Sequence, residues 1–161
     1  MKLFYRAIAL WGFITVCGGI SPAISIQYPP ILIVQNSAED LFNSGLAKSE
    51  AGDIQGAIAD YTAAIRINPN YAKAYNKRGI IHGRNLKDYR AAKADFDRAI
   101  EINPNYGDAY YNRAKVRYFL EDKPGAIADY QKAAELYQKD SKTQDYQDAM
   151  KHLQRLQQKT L

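Results

Sequence analysis

The feature that most constrains this chain is an internal repeat. Residues 65–78, read IRINPNYAKAYNKR, return in closely related form at residues 100–113, read IEINPNYGDAYYNR. Pro69 and Pro104 lie about 35 residues apart, which is the length of a helix-turn-helix repeat. A unit of this size cannot bury its apolar face alone, so the repeat predicts several units stacked side by side.

Working outward from the two prolines divides residues 38–140 into three units, 38–71, 72–106 and 107–140. Each unit is predicted to form two antiparallel helices, here called helix A and helix B. The length of the chain suits a single compact domain, and its hydrophobic fraction of 47% is ordinary for a globular protein.

Residues at the predicted helix ends match known capping patterns. Ser37, followed by Asp40, resembles a capping box at the start of the first helix. An aspartate is expected to begin each helix B by accepting bonds from free N–H groups, and these residues are Asp53, Asp88 and Asp122. In the second and third units the Asn-Pro pair is expected to begin helix A, with Asn68 or Asn103 as the cap and the following proline in the first position.

Small and large residues alternate at matching positions of the units, a pattern that lets antiparallel helices interdigitate. The small residues of helix A are Gly45, Gly79 and Ala114, and those of helix B are Ala57, Ala64, Ala92, Ala99, Ala126 and Ala133. The large residues are Leu41, Tyr75 and Tyr110 in helix A and Tyr61, Phe96 and Tyr130 in helix B.

This spacing resembles the tetratricopeptide repeat (TPR) family, in its bacterial form rich in Asn-Pro-Asn-Tyr and Ala-Tyr-x-x-Arg-Gly. The resemblance implies an all-α fold, an α-solenoid of three TPR helix-turn-helix units with a C-terminal capping helix. Several positions depart from the family pattern. The tyrosine usual late in helix A is replaced by Lys48, His82 and Arg117, the leucine before the small residue by Ser44, Arg78 and Arg113, and the closing proline by Gln138. The helix-A changes predict internal packing more polar than the family norm.

The last segment, residues 141–161, is predicted to form the capping helix, from about residue 143 to 159. Tyr146, Met150, Leu153 and Leu156 form one apolar stripe at helical spacing, and the remaining positions are polar. A cap over the open end of the third unit explains this pattern. A partner-binding or self-pairing helix is the alternative.

The N-terminal segment, residues 1–25, reads as a signal peptide. Lys2 and Arg6 precede an uncharged apolar run, and small residues follow, with cleavage expected after Ser25. The chain is therefore predicted to be exported (periplasmic, secreted or lumenal), and the alternative is an uncleaved anchor with the repeats facing outside. Residues 26–37 contain Pro29 and Pro30 and are predicted to be an extended linker. Its apolar run is expected to pack on the first unit, and the alternative is a docking segment for a partner.

The resemblance implies that the concave surface lined by helix A binds a peptide or protein segment. The candidate groove residues are Phe42, Leu46, Asn76, Ile80, Tyr111, Lys115 and Tyr118. The carboxylate clamp of some family members uses Lys and Asn one helical turn apart in the first unit. Because Phe42 and Leu46 stand there, no such clamp is expected. The competing hypothesis is a structural protein that self-associates through its repeat ends or final helix.

Catalytic and cofactor motifs are not found. The two histidines, His82 and His152, lie in different predicted helices, and the sequence has no phosphate loop, nucleophile elbow or His-Glu-x-x-His motif. The single cysteine, Cys17, lies in the predicted signal peptide. The net charge of +5 is spread among acidic residues, which does not indicate a nucleic-acid partner. We expect a non-enzymatic protein without cofactor or metal.

Overall fold

The computed structural model describes residues 37–158, and within them all regular secondary structure is helical. The predicted signal peptide, most of the predicted linker and residues 159–161 lie outside the described residues. The helices are α1 (Ala38–Glu50), α2 (Ile54–Ile67), α3 (Ala72–Arg84), α4 (Tyr89–Ile102), α5 (Gly107–Phe119), α6 (Lys123–Lys139) and α7 (Thr143–Gln158). They form an all-α TPR-type solenoid in which α1–α2, α3–α4 and α5–α6 pair and α7 packs on α6.

The predicted caps at the first helix and at each helix B are confirmed. Ser37 accepts a bond from the backbone N–H of Asp40 at 3.0 Å, and the Asp40 carboxylate accepts one from the N–H of Ser37. The carboxylates of Asp53, Asp88 and Asp122 accept bonds of 2.9–3.0 Å from N–H groups three residues later. These bonds satisfy backbone donors that a helix start leaves without partners, so the sequence sets where α2, α4 and α6 begin.

The prediction for the Asn-Pro pairs was wrong. Asn68 ends α2, and its side chain accepts a bond from the N–H of Asn70 at 3.0 Å. Helix α3 begins later, at Ala72, and its N-cap position has no side-chain hydrogen bond. Asn103 repeats this arrangement before α5. The asparagine stabilises the loop by bonding its own backbone two residues on, which competes with capping the next helix.

The predicted fit of small against large residues is confirmed. All six small residues of helix B are completely buried, and the rings of Tyr61, Phe96 and Tyr130 are 1–3% exposed. A Cβ atom added to Gly45 would lie 2.7 Å from the Tyr61 ring, and one added to Gly79 would lie 2.9 Å from the Phe96 ring. The rings therefore occupy the space that glycine leaves free, and the helices approach closely there.

The departures from the family pattern form ion pairs between the two helices of a unit. Arg113 in α5 bonds both oxygens of Asp129 in α6 at 2.7 and 2.8 Å and also reaches Asp97 in α4 at 2.8 Å. Arg78 in α3 makes the same bidentate ion pair, with hydrogen bonds to both carboxylate oxygens of Asp95. Burial opposes the charge on Arg113, but its hydrogen bonds to the two aspartates outweigh this and raise its pKa. The polar packing predicted from the sequence is thus a set of charge-assisted pairs.

The last helix covers the open side of the third unit, as predicted. Leu153 and Leu156 are 6% and 7% exposed, and Ala149, which the predicted stripe did not include, is fully buried. Met150 and Tyr146 are partly buried against the same clusters. None of the helices between residues 37 and 158 combines the length and apolarity needed to cross a bilayer.

Candidate functional site on the helix-A face

A cavity of about 340 Å³ lies where the second and third units meet the last helix. We call it the central pocket. Its walls come from α3, α5, α6 and α7 and the segments before α5 and α7. Its lining residues are Asn76, Lys77, Ile80, Tyr106, Asp108, Tyr111, Asn112, Tyr137, Lys142, Asp145 and Asp148.

Two amide side chains connect the units at the floor of this pocket. Asn112 donates to the side-chain oxygen of Asn76 at 3.2 Å, and Asn76 donates to the hydroxyl of Tyr106 at 3.2 Å. Asn76 is only 3% exposed, so its orientation is fixed by these bonds. An amide group can make about four hydrogen bonds, and these contacts use only part of that capacity. The remaining donor and acceptors of Asn112, which is less buried than Asn76, suit the peptide groups of an extended ligand.

The charged groups of the pocket come from α3, α5, α7 and the segment before α7. The Asp108 carboxylate accepts a bond from the Tyr137 hydroxyl at 3.0 Å, and the ammonium of Lys142 lies 3.9 Å from it. Burial raises the pKa of Tyr111, and the nearby carboxylates of Asp148 and Asp145 raise it further. The pocket therefore holds both signs of charge, with three aspartates against two lysines.

A second cavity, of about 500 Å³, lies further along the last helix toward its C-terminal end and is called the C-terminal pocket. Tyr118, Tyr130, His152, Arg155, Leu156 and Gln158 line it. The His152 ring stacks on Tyr130 with centroids 5.3 Å apart and meets the Tyr111 ring edge-on at 5.8 Å. Burial lowers the pKa of His152, and the charges of Lys115 and Arg155 lower it further. Burial and the neighbouring cations thus favour the neutral imidazole.

The structure brings some of the predicted groove residues together and separates others. Asn76, Ile80 and Tyr111 line the central pocket. Tyr118 lines the C-terminal pocket. The Lys115 ammonium lies over the Tyr111 ring at 5.6 Å, and the residue lines neither pocket.

The two predicted groove residues of the first unit lie in or against the apolar core. Phe42 is 8% exposed, and its ring contacts Tyr71 and Tyr61 at centroid distances of 5.0 and 5.7 Å. Leu46 is partly buried against the same cluster. Packing between helices thus uses most of the surface of these side chains.

Several pocket residues were not predicted. Asp108 and Asn112 lie on helix A within about one turn of Tyr111, so the helical period could have indicated them. Tyr106, at the end of the Asn-Pro-Asn-Tyr motif, was assigned only to the repeat. Asp145 and Asp148 were included in the polar face of the cap, and no local signal distinguishes them from its other polar residues.

Comparison with protein families agrees with this geometry. A model described as TPR repeat matches residues 45–86, and a model described as tetratricopeptide repeat matches residues 72–106 and again 107–140. Together the matches span more than half of the chain. This protein belongs to the tetratricopeptide repeat family. A search of curated protein sequences found no match to this chain.

Solved TPR structures share the fold. The first TPR of Spaghetti (RPAP3), bound to the HSP90 peptide SRMEEVD, is 25% identical to this chain and superposes with a TM-score of 0.70. The match covers 77% of this chain and 93% of that one. The TPR2B domain of yeast Sti1, in a pHsp70 complex, is 22% identical, with a TM-score of 0.71 over 76% and 97%. PcrH in complex with the chaperone-binding region of PopD is 18% identical, with a TM-score of 0.72 over 76% and 92%.

The chemistry that this TPR surface supports is recognition. In residues 37–158, no group of three or more His, Cys, Asp or Glu side chains is placed to hold a metal ion. The central pocket offers fixed amides, phenol groups and a few charges around Ile80, a combination of apolar wall and convergent polar groups that is typical of a ligand site.

Proposed function

We propose that this protein is an exported, non-enzymatic TPR module that binds an extended segment of a partner protein in the central pocket. The TPR fold itself supports a role in protein–protein interaction or scaffolding. The observation that carries the choice of site is the bonded pair Asn76–Asn112, since this pair presents amides in fixed positions beside a cavity of about 340 Å³.

The proposed binding mode combines backbone and side-chain recognition. The Asn112 amide, held in position by the buried Asn76, bonds a peptide group of the segment, while Ile80 and the ring of Tyr111 contact an apolar side chain. Fixed groups favour binding because little rotamer freedom remains to be lost. The similar RPAP3 domain was solved with a bound peptide, which supports a peptide as the ligand class.

The charges of the pocket distinguish this module from a receptor for acidic peptide ends. Asp108, Asp145 and Asp148 would repel carboxylates, and the Lys142 ammonium already lies near Asp108. We therefore expect the peptide SRMEEVD to bind this chain more weakly than its charge-reversed form SRMKKVD, by roughly tenfold, because like charges at an interface are unfavourable. Fluorescence anisotropy of the labelled peptides on the full chain measures this, and tighter binding of SRMEEVD would contradict the proposed preference.

Site-specific photo-crosslinking in the native cells tests the proposed face. A photoreactive amino acid replacing Lys77, which lines the pocket, should capture a partner protein. The matched position is Glu135, which is exposed on α6 and lines neither pocket. When Asn112→Ala is added to the chain that carries the photoreactive amino acid at position 77, the adduct should be abolished and the helix content should remain unchanged.

The outcome of this experiment also separates the competing hypotheses. Equal capture at both positions would overturn the assignment of the groove. An adduct between two copies of the chain would favour self-association, the alternative indicated by the sequence.

Export is proposed from the sequence of the N-terminal segment alone. The basic residues Lys2 and Arg6, the apolar run and the small residues near Ser25 support it. N-terminal sequencing of the protein recovered from cells should give a chain that begins at Ile26. A chain that retains residues 1–25 would favour the anchored alternative.

A further inference from the structure

Two of the three large apolar side chains exposed within residues 37–158 lie in neighbouring turns of the solenoid. Leu86 is 43% exposed in the turn of the second unit, and Phe119 is 56% exposed at the turn of the third. The Phe119 ring stacks on Tyr89, with centroids 4.7 Å apart and ring planes 6° apart. This contact joins the two turns into one surface, and we call Leu86, Tyr89 and Phe119 the loop patch.

The fold does not require this patch. Each turn between helix A and helix B has one residue with positive φ directly before the capping aspartate, namely Gly52, Lys87 and Glu121. In the first unit the preceding residues are Ala51 and Glu50, which present neither a ring nor a large apolar group. The first unit therefore forms a turn of the same length as the third without the phenylalanine, and the exposed Leu86 lies in the longer turn of the second unit. Another role for both side chains has to be sought.

The patch is flanked by positive charges that lack carboxylate partners in the described part of the chain. These flanking cations are Arg84, Lys87, Arg90 and Lys123, and all four are exposed. The Lys87 ammonium donates only to the backbone carbonyl of Arg84. Two of the nearby acids, Asp88 and Asp122, cap helices, so the positive ends of α4 and α6 offset part of their charge. Together with Glu121 these acids leave the patch and its four flanking cations with a small net positive charge.

We propose that the loop patch docks this protein on an anionic lipid bilayer, with Phe119 and Leu86 entering the interface and the flanking cations facing lipid phosphates. Apolar and aromatic side chains beside Lys and Arg are the composition that binds such interfaces. Each cation near an anionic surface adds attraction, and the long cationic side chains reach outward while their stems stay on apolar surface.

Other occupants fit this patch less well. Two copies of the chain meeting through it would bring two surfaces of net positive charge together, which is unfavourable. A stable protein interface needs on the order of 20–30 residues on each side, whereas this patch has three large side chains. The proposal is independent of the groove, because none of the patch residues lines the central pocket.

Tryptophan placed in the patch tests whether it enters a bilayer. The full chain contains one tryptophan, Trp11, and Trp11→Phe removes its emission. In that background, Phe119→Trp reports on the patch. The matched control is Ile67→Trp, because Ile67 is 52% exposed but lies at the other end of helix B, away from the patch. The probe is a vesicle of phosphatidylglycerol and phosphatidylcholine with brominated acyl chains.

We expect the brominated chains to reduce the emission of Phe119→Trp by roughly twofold or more, as for a side chain within the acyl boundary, and to leave Ile67→Trp unchanged. Because Ile67→Trp carries the same N-terminal segment, attachment of the chain through that segment affects both variants alike. Lys87→Gln and Arg90→Gln should each lower vesicle partitioning about fivefold.

Several results would overturn the proposal. The first is Phe119→Trp emission that the vesicles do not quench, which would leave the patch to a protein or nucleic-acid partner. The second is equal quenching at both positions. The third is quenching that persists on vesicles of phosphatidylcholine alone, since this would show that the flanking cations have no role.

Discussion

The first and third units of the solenoid have the same backbone plan but are held together by different forces. In the first unit, Ser44 and Lys48 bond Asp60, and the side chains of Lys48 and Asp60 are 40% and 13% exposed. In the third unit, Arg113 and Arg117 both pair with Asp129, whose side chain is 4% exposed. The pair in the first unit is screened by water, while the pairs in the third are largely desolvated.

The aromatic packing differs in the same direction. The first unit has Phe42 in its apolar core, in contact with Tyr61 and Tyr71. At the corresponding place in the third unit, Tyr111 is only partly buried and lines the central pocket. The comparison shows that the third unit combines buried charges with an open polar surface. Its stability should therefore depend more on single charged residues than that of the first unit.

The largest effect is expected at the buried charges. Asp129→Ala leaves Arg113 and Arg117 without their main partner in a desolvated site, and should lower the free energy of unfolding by about 3–5 kcal/mol. The matched change Asp60→Ala removes a more exposed pair and should cost only about 0–1 kcal/mol. Urea denaturation of the two variants measures the difference. Equal losses would mean that the two units are held in the same way.

The next effect concerns the contact between glycine and a ring in the first unit. In Gly45→Ala the new methyl group would lie 2.7 Å from the ring of Tyr61, which is 1% exposed and has no room to move. Overpacking costs about 1–3 kcal/mol, which exceeds the gain of about 1 kcal/mol in helix propensity. A lower melting temperature is expected.

The control for that change is Gly83→Ala in α3. Its added methyl group would lie 3.4 Å from Ala92 and Val116, which is close to ordinary contact. This variant should be neutral or more stable by up to about 1 kcal/mol. If both alanine variants were equally stabilised, the close approach at Gly45 would have no energetic role.

A smaller effect is expected at the turns, where the first unit has glycine and the third has glutamate. Glu121 has a φ of 64°, and Gly52 at the matching position has a φ of 84°. A left-handed conformation costs a non-glycine residue roughly 1–2 kcal/mol. Glycine loses more backbone entropy on folding, and this cost offsets part of the gain. Glu121→Gly should therefore raise the free energy of unfolding by up to about 1 kcal/mol.

The reciprocal change, Gly52→Ala, should destabilise the first unit by about 1–2 kcal/mol. Thermal unfolding followed by circular dichroism reports both variants. A loss of stability in Glu121→Gly would show that the glutamate side chain contributes more than its backbone strain costs.

The smallest effect is a pH dependence confined to the C-terminal side. The pKa of His152 is lowered from 6.5 in the folded state by burial, Lys115 and Arg155, while Asp148 opposes this and Lys151 adds to it. The unfolded chain therefore binds the proton more readily. The stability contributed by the neutral ring is complete above pH 6.5 and falls as the pH drops below that value. The urea concentration at the midpoint of unfolding should decrease as the pH is lowered from about 7.5 to about 5.

His152→Gln should flatten this decrease. Hydrogen exchange should place the loss in α7, because His152 lies in its contact with Tyr130 and Tyr111. A decrease that persists in His152→Gln would assign the pH dependence to other groups.

The sequence was sufficient to predict the fold because the repeat supplies the same local signal several times. Caps such as Asp53, Asp88 and Asp122 and small residues such as Gly45 and Gly79 act over a few residues or at fixed spacing, so they are visible without coordinates. The error at Asn68 has the same origin. Asparagine has two local uses, in a loop or as a cap, and the choice depends on where the next helix starts.

The candidate site was predicted only in part. Asn76, Ile80 and Tyr111 follow from the helix-A period. Nothing in the sequence showed that Phe42 would be buried against Tyr71 in the first unit. The partners of the arginines were equally hidden, since Arg113 and Asp129 are distant in sequence and meet only when α5 packs on α6.

The sequence by itself determined that this chain repeats a helical pair, where its first helix and each helix B begin, and which residues keep those helices close. These properties depend on neighbours within one or two turns of the chain. Only the tertiary structure decided that the last helix brings Asp145 and Asp148 to the same cavity as Asn76. That placement depends on the angle at which α7 packs on the third unit, and side chains from several elements set this angle together.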